Sequence, residues 1–350
     1  MEYKHNLIYC LLTFFWALMV SLFAMPSIIS MAHAKGLLDE PNQRTMHTCL
    51  TPRLGGLGIF AGFFSAITIF GDFSTEDKGI QMLLASIVVL FFVGLKDDIT
   101  PVSVFKKFFM QVLATAIVVF FGDVRIDNFY GFLGVYGIDY GTSYALTFLV
   151  IIGLTNSINL IDGLDGLAGS LIVFISLCFG MCFFLNDSPY VFVSVGLAGA
   201  LLGFLKYNVN KATIFMGDTG SLVSGFVLSV LAIKAVNLEY ADVNMPAMTL
   251  AILIIPVVDT LRVFIIRTLD GKSPFIPDRR HLHHLLSEFG FGPNTVILIL
   301  LIVNVMFVLS IYFLSSAYSI DVLVGCILLL VLFSLAVLNY LPRIIKYSRE

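Results

Sequence analysis

Charge is what this sequence has least of. Asp, Glu, Lys and Arg make up only 12% of its 350 residues, where an ordinary soluble domain carries about 25%. With 59% hydrophobic residues beside so little charge, a water-soluble globule of this length is excluded, because it could not hide that much apolar surface. Cysteine is sparse too. Cys10, Cys49, Cys178, Cys182 and Cys326 include no CxxC or CxxH spacing, so no disulfide framework is indicated. Cys178 and Cys182, one helical turn apart in an apolar stretch, read as packed thiols. No internal repeat is evident, and no loop is long enough to fold alone. The net charge of -3 decides little, since its distribution matters more than its sum.

What the chain has in quantity is long apolar runs. Reading for stretches of about 20 apolar residues predicts eleven membrane helices: 6–29, 54–71, 79–95, 104–122, 143–161, 166–185, 190–206, 219–236, 246–266, 294–315 and 319–341. The class is an all-α, polytopic helix bundle. Lys4, the following run and "MAHA" at 31–34 imitate a cleavable signal peptide. The run is too long for a signal core of about 7–15 residues and reads as the first spanning helix.

Basic residues give the orientation. With the N-terminus outside, only Lys4, Lys78, Arg125 and Lys234 of the twenty Lys and Arg fall on the outer side. Eleven crossings then leave the C-terminus in the cytoplasm. The same arrangement puts every unusual polar stretch inside: 31–53, 96–107, 156–169, 207–221 and 267–293. The outer loops are plain acidic or polar turns. The whole chain, 1–350, therefore reads as one membrane-embedded domain with a single site at the cytoplasmic boundary.

Each inner stretch offers its own chemistry. Asn156, Asn159 and Asp162 step by three and line one drifting helix face. A polar seam between helices is the plain reading, yet a carboxylate beside hydrocarbon needs a reason, and "DGLDG" adds glycines that admit a ligand. Asp97 and Asp98 end one run, with Lys106 and Lys107 just beyond; opposite a second acidic cluster such a pair suits Mg²⁺. Asp218 in "FMGDTGS" stands where a helix is expected to start near Thr219, as its N-cap, as a metal ligand, or as both. In "PDRRHLHHLL", Asp278 reads as a helix cap. His281, His283 and His284 follow Arg279 and Arg280 without a thiolate or acidic partner at zinc spacing, so protonatable histidines facing an anionic substrate outweigh zinc. Carboxylates, basic groups and a membrane edge together suggest phosphoryl transfer from a soluble donor to a lipid.

These motifs, "DEPNQR…H…TPRLGG", "GLKDDI", "NLIDGLDGLAGS", "FMGDTGS" and "SPFIPDRRHLHHLL", resemble in order the polyprenyl-phosphate N-acetylhexosamine-1-phosphate transferases (the MraY/WecA/TagO type). The resemblance runs from about residue 36 to 295. It implies transfer of an N-acetylhexosamine 1-phosphate from a UDP-sugar to undecaprenyl or another polyprenyl phosphate, with release of UMP. The implied product opens lipid-linked glycan synthesis for the cell envelope. The histidine motif is closest to the N-acetylglucosamine-type enzymes; a phospho-MurNAc-pentapeptide or other UDP-N-acetylhexosamine specificity is the alternative. By the same resemblance Asp97, Asp98, Asp162 and Asp165 are catalytic, and Asn159 and Asp218 hold Mg²⁺, for which Mn²⁺ can substitute. Asp39, Asn42, Arg44, His47, Arg53, Lys107, Asn156, Arg279, Arg280, His281, His283 and His284 bind substrate. The implied place is the bacterial inner (cytoplasmic) membrane with the site facing the cytoplasm. No nucleic acid is expected as a partner, and a homodimer is left open.

The expected chemistry is a one-step attack of the acceptor phosphate on the sugar-linked phosphorus, with Asp97 orienting or deprotonating the acceptor. A two-step route through an aspartyl intermediate competes. A secondary transporter is the rival from another class; its site would lie at mid-membrane on broken helices in repeated halves. A lipid-binding scaffold is a third reading, and it does not require five polar clusters.

Overall fold

In hydrocarbon a backbone must satisfy its own polar groups, so apolar runs of this length become helices. The computed structural model describes residues 2–39 (side chains from Leu7), 50–71, 78–238, 243–271 and 280–332. Its helices are α1 (Glu2–Lys35), α2 (Gly55–Phe70), α3 (Gly79–Ile99), α4 (Val104–Ala116), α5 (Tyr140–Ile161), α6 (Leu167–Leu185) and α7 (Tyr190–Asn208). They continue with α8 (Gly217–Val236), α9 (Met245–Ile252), α10 (Ile254–Leu269), α11 (Leu282–Glu288), α12 (Pro293–Leu314) and α13 (Ile320–Leu332). Among the described residues there is no β-strand, only the isolated bridges Asp39–Thr51 and Asn128–Gly137.

Each of the eleven predicted runs has a helix or a bent helix pair in its place. Eight of them are long and apolar enough to cross a membrane, and the α9–α10 pair makes up to nine if it is one span. The remaining two, α2 and α13, are shorter apolar helices. The run at 166–185 is one continuous helix. The run at 104–122 changes pitch, because α4 passes into a π-turn over Ile117–Phe121.

Helix α8 is the centre of the bundle. It packs against α2, α3, α5, α6, α7 and α9, and its side chains from Thr219 to Ala235 are almost all buried. A helix enclosed on all sides needs no polar face. It uses small residues where neighbours come close. A Cβ on Gly94 of α3 would lie 2.5 Å from the Thr219 Cα, and one on Gly56 of α2 would lie 2.3 Å from the Gly220 amide nitrogen. Two helices therefore seat directly against the first turn of α8.

The run at 246–266 is broken. α9 and α10 meet at 71° around Leu253. Pro256 has no N–H to give the carbonyl four residues earlier, that of Ile252. Asn304 of α12, fully buried, donates its amide to the carbonyls of Ala251 (3.0 Å) and Ile252 (3.1 Å) in its place. The bend lets α10 lead toward the end of the bundle where the polar stretches gather.

Candidate active site

The site is built on the start of α8. The sequence places this start near Thr219 with Asp218 as N-cap; the helix begins at Gly217 instead, and Asp218 lies in its first turn. Asp98, at the end of α3, supplies the cap. Its carboxylate accepts the amide N–H groups of Asp218 (2.7 Å) and Thr219 (3.0 Å) and the Thr219 hydroxyl. A helix N-terminus leaves such N–H groups unpaired and carries partial positive charge, so a carboxylate satisfies both demands. On the other side residues 52–56 are strapped on by Phe215 N–H to Pro52 O (2.8 Å), Gly55 N–H to Phe215 O (2.9 Å) and Gly56 N–H to Met216 O (2.8 Å). Gly217, at φ +69°, has room for no side chain: a Cβ would sit 2.2 Å from the Arg53 carbonyl oxygen.

With its backbone held, Asp218 turns its carboxylate outward. Lys107 of α4 donates to it (2.8 Å) and to Asp97 (3.0 Å), so one ammonium bridges two carboxylates. Asp97 also accepts the Val102 N–H (2.6 Å), which ties the α3–α4 turn. The Asn159 amide nitrogen from α5 reaches the Ser221 hydroxyl (2.8 Å) and the other Asp218 oxygen (3.3 Å). Four helices, α3, α4, α5 and α8, thus deliver oxygen and nitrogen groups to one half-buried point.

The stretch after Asn159 leaves the helix. Asp162 is the C-cap residue of α5. Burial pushes its carboxyl up to about 7, helped by the negative charges of Asp218, Asp98 and Asp165 and opposed by Arg53. Asp165 accepts the Ala212 N–H (3.1 Å), and Asn208 bridges Gly166 N–H (2.8 Å) to Ile214 O (2.9 Å). Both fix the 209–216 turn that leads into α8. Gly163 lies under the His283 ring, whose Nε2 would be 2.7 Å from a Cβ there.

The histidine segment is held from α10. Asp259 accepts from His281 Nδ1 (2.9 Å) and from the Leu282 N–H (2.8 Å), and Arg262 donates to the Arg280 carbonyl. Arg280 pairs with Asp270. The His281 and His283 rings lie parallel within 11° at 5.9 Å, and the His284 ring is 4.2 Å from His283. His283 is buried with no partner for Nε2. Burial, followed by the neighbouring His284, lowers its pKa to about 4, against a weaker raising effect from Asp259. Burial thus disfavours the charged form of this ring.

The expected residues divide accordingly. Asp97, Asp98, Lys107, Asn159 and Asp218 are bonded into one cluster, and the field of that cluster reaches Asp162. Asp39 pairs with Arg53 at the base of the first polar stretch. Asn156 makes a reciprocal amide pair with Gln111 of α4 (2.7 and 3.3 Å) and a bond to Ile152 O (2.8 Å), apart from the cluster. Asn42, Arg44, His47, Asp278 and Arg279 lie outside the described residues. Sequence reading passed over Asp259, Ser221, Thr219, Gln111 and Asn208. Of these Asp259 left a signal, an acid inside an apolar run.

Similarity to known proteins agrees with this arrangement. Residues 80–236 match glycosyl transferase family 4. The chain is 33% identical over 317 residues to a probable undecaprenyl-phosphate N-acetylglucosaminyl 1-phosphate transferase of Bacillus subtilis, covering 89% of this chain and 87% of that protein. It is 31% identical to a decaprenyl-phosphate N-acetylglucosaminephosphotransferase of Mycobacterium tuberculosis, over 81% and 77% of the two. With an undecaprenyl-phosphate alpha-N-acetylglucosaminyl 1-phosphate transferase of Escherichia coli K12 it shares 29% identity over 73% and 70%. The chain belongs to glycosyl transferase family 4.

Proposed function

We propose that this protein transfers N-acetylglucosamine 1-phosphate from UDP-N-acetylglucosamine to a polyprenyl phosphate in the bacterial cytoplasmic membrane, releasing UMP on the cytoplasmic side. The observation that carries the proposal is the Lys107 ammonium set between Asp97 and Asp218 (3.0 and 2.8 Å), where α3 and α5 end and α4 and α8 begin. The names of the relatives supply the sugar and the lipid class.

The chemistry follows from charge and position. An oxygen of the lipid phosphate attacks the sugar-linked phosphorus, a new phosphoanhydride forms, and the bond to UMP breaks with its electron pair leaving on UMP. Such transfers depend mainly on placement and charge stabilisation. Lys107 supplies a fixed positive charge to incoming phosphates. Asp97, already an acceptor at both oxygens, orients the acceptor end of the site. Asp98 works by holding the α8 N-terminus, so we assign it a positioning role.

The same residues fit a divalent cation. Among the described residues no three His, Cys, Asp or Glu groups converge as a ligand set. Carboxylate oxygens of Asp97 and Asp218 nevertheless meet at the Lys107 ammonium, with the Asn159 side-chain amide against Asp218, and hard oxygens suit Mg²⁺ or Mn²⁺. These three residues would hold it, and bound there it would neutralise diphosphate charge.

The deciding experiment uses purified protein, labelled UDP-N-acetylglucosamine and undecaprenyl phosphate. A chloroform-soluble, pyrophosphate-linked sugar is expected, reconverted to the nucleotide sugar by excess UMP. Absence of any lipid-linked product with a protein shown to be folded would overturn the proposal.

A further inference from the structure

An acid inside an apolar run is costly, and a membrane helix keeps one for a reason. Asp259 is such a residue: 2% exposed, in the second turn of α10, with its two oxygens committed to two different tasks. One oxygen accepts the Leu282 main-chain N–H at 2.8 Å. The other meets His281 Nδ1 at 2.9 Å. Anchoring alone does not call for this second bond, since Arg262, one turn further along α10, already grips the segment at the Arg280 carbonyl.

The second bond sets the state of the ring. A carboxylate can only accept, so Nδ1 must carry the proton. His281 then has Nε2 as its remaining polar atom. His281 stacks parallel to His283, which rests on Gly163 next to Asp162 in the chain, so one histidine separates the ring from the turn that follows α5.

Resting on the transferase reading above, we propose that Asp259 is a positioning residue for the transfer. From within α10 it fixes the His281 proton on Nδ1 and presents Nε2 to the diphosphate of the nucleotide-sugar donor. Asp259 touches no substrate itself; it acts through His281.

The test uses the full-length protein in nanodiscs. Asp259→Asn keeps the shape but lets an amide face the ring. A charge-assisted hydrogen bond of this kind corresponds to about 10- to 100-fold in binding. The KM for the donor should rise by that factor in D259N and in H281A, while the KM for polyprenyl phosphate holds. Calorimetric binding of UDP should weaken in parallel, and the double variant should bind no worse than H281A. An unchanged donor KM in D259N, an equal rise in both KM values, or a double variant showing both losses in full would overturn the proposal. If wild-type protein forms no lipid-linked product, the transferase reading fails. The UDP binding arm then decides this one: loss in both single variants upholds it, and unchanged binding overturns it. Should D259N not fold, ¹⁵N-histidine spectra of wild type against H281A give the answer. A His281 proton on Nδ1 upholds the proposal, and one on Nε2 alone sinks it.

Discussion

Two neighbouring aspartates in the cluster have opposite tasks, although sequence presents both as ligand candidates. Asp98 spends its oxygens on the first N–H groups of α8, whereas Asp218 turns its carboxylate to Lys107 and Asn159. Asp98→Asn replaces one acceptor oxygen by a donor facing N–H groups, and a buried donor left unpaired costs about 1–3 kcal/mol. Melting temperature and transferase activity should therefore fall together in Asp98→Asn. Asp218→Asn should leave the melting temperature of the solubilised protein nearly unchanged and remove most activity, with partial recovery at raised Mg²⁺ or with Mn²⁺. Thermal melts beside product assays separate the two. His283 gives a pH effect. Its pKa falls from 6.5 unfolded to about 4 folded, so between these values the unfolded chain binds more protons and stability drops as pH falls. From pH 7 to pH 5 the loss is about 2 kcal/mol at about 1.4 kcal/mol per unit. Denaturation of wild type and His283→Gln at both pH values should show the variant losing less.

At the scale of helices, much was legible because hydrocarbon leaves the backbone few options. Among the described residues every apolar run holds helix, and described parts of the polar stretches meet at the start of α8. Pairings were not legible. "NSINLID" shows a polar face, but nothing in it says that Asn156 turns to Gln111 on α4 while Asn159 turns to Ser221 on α8. Asp259 is visible as an acid in its apolar run, but its partner lies 22 residues further on and is not. Asn304 is similar: an amide in the middle of α12 is visible, its use at the Pro256 bend is not. Replacing it with leucine would strip two buried carbonyls of a donor, at about 1–3 kcal/mol. Asn304→Leu is expected to lower the melting temperature, and more in protein with Pro256 than in Pro256→Ala, where the Ile252 carbonyl regains its helical partner. Equal losses in both backgrounds would remove the link between Asn304 and the bend.

Across the whole molecule the polar side chains gather where α3, α5, α7 and α10 end and α4, α8 and α12 begin. The proposed orientation places this end in the cytoplasm, from the basic residues alone. A cysteine introduced into "GDFSTEDKG" should then react with an impermeant maleimide in intact cells, and a C-terminal tag should be reached only after lysis. Labelling in the reverse pattern would turn the protein over and detach the site from cytoplasmic nucleotides.

The central place of α8 also bears on how the chain is made. Asp98 and the amides it caps are 120 residues apart, which at ordinary bacterial elongation is about 6–24 s of synthesis. Five of the six helices that enclose α8 precede it on the ribosome. Until α8 arrives, the Asp98 carboxylate has no helix terminus to close. The nascent protein is thus an open ring of helices for several seconds, and the eighth helix is the one that shuts it. A pause in translation just before residue 217 would lengthen the life of that open ring, and with it the time in which an insertase or a quality-control protease can act.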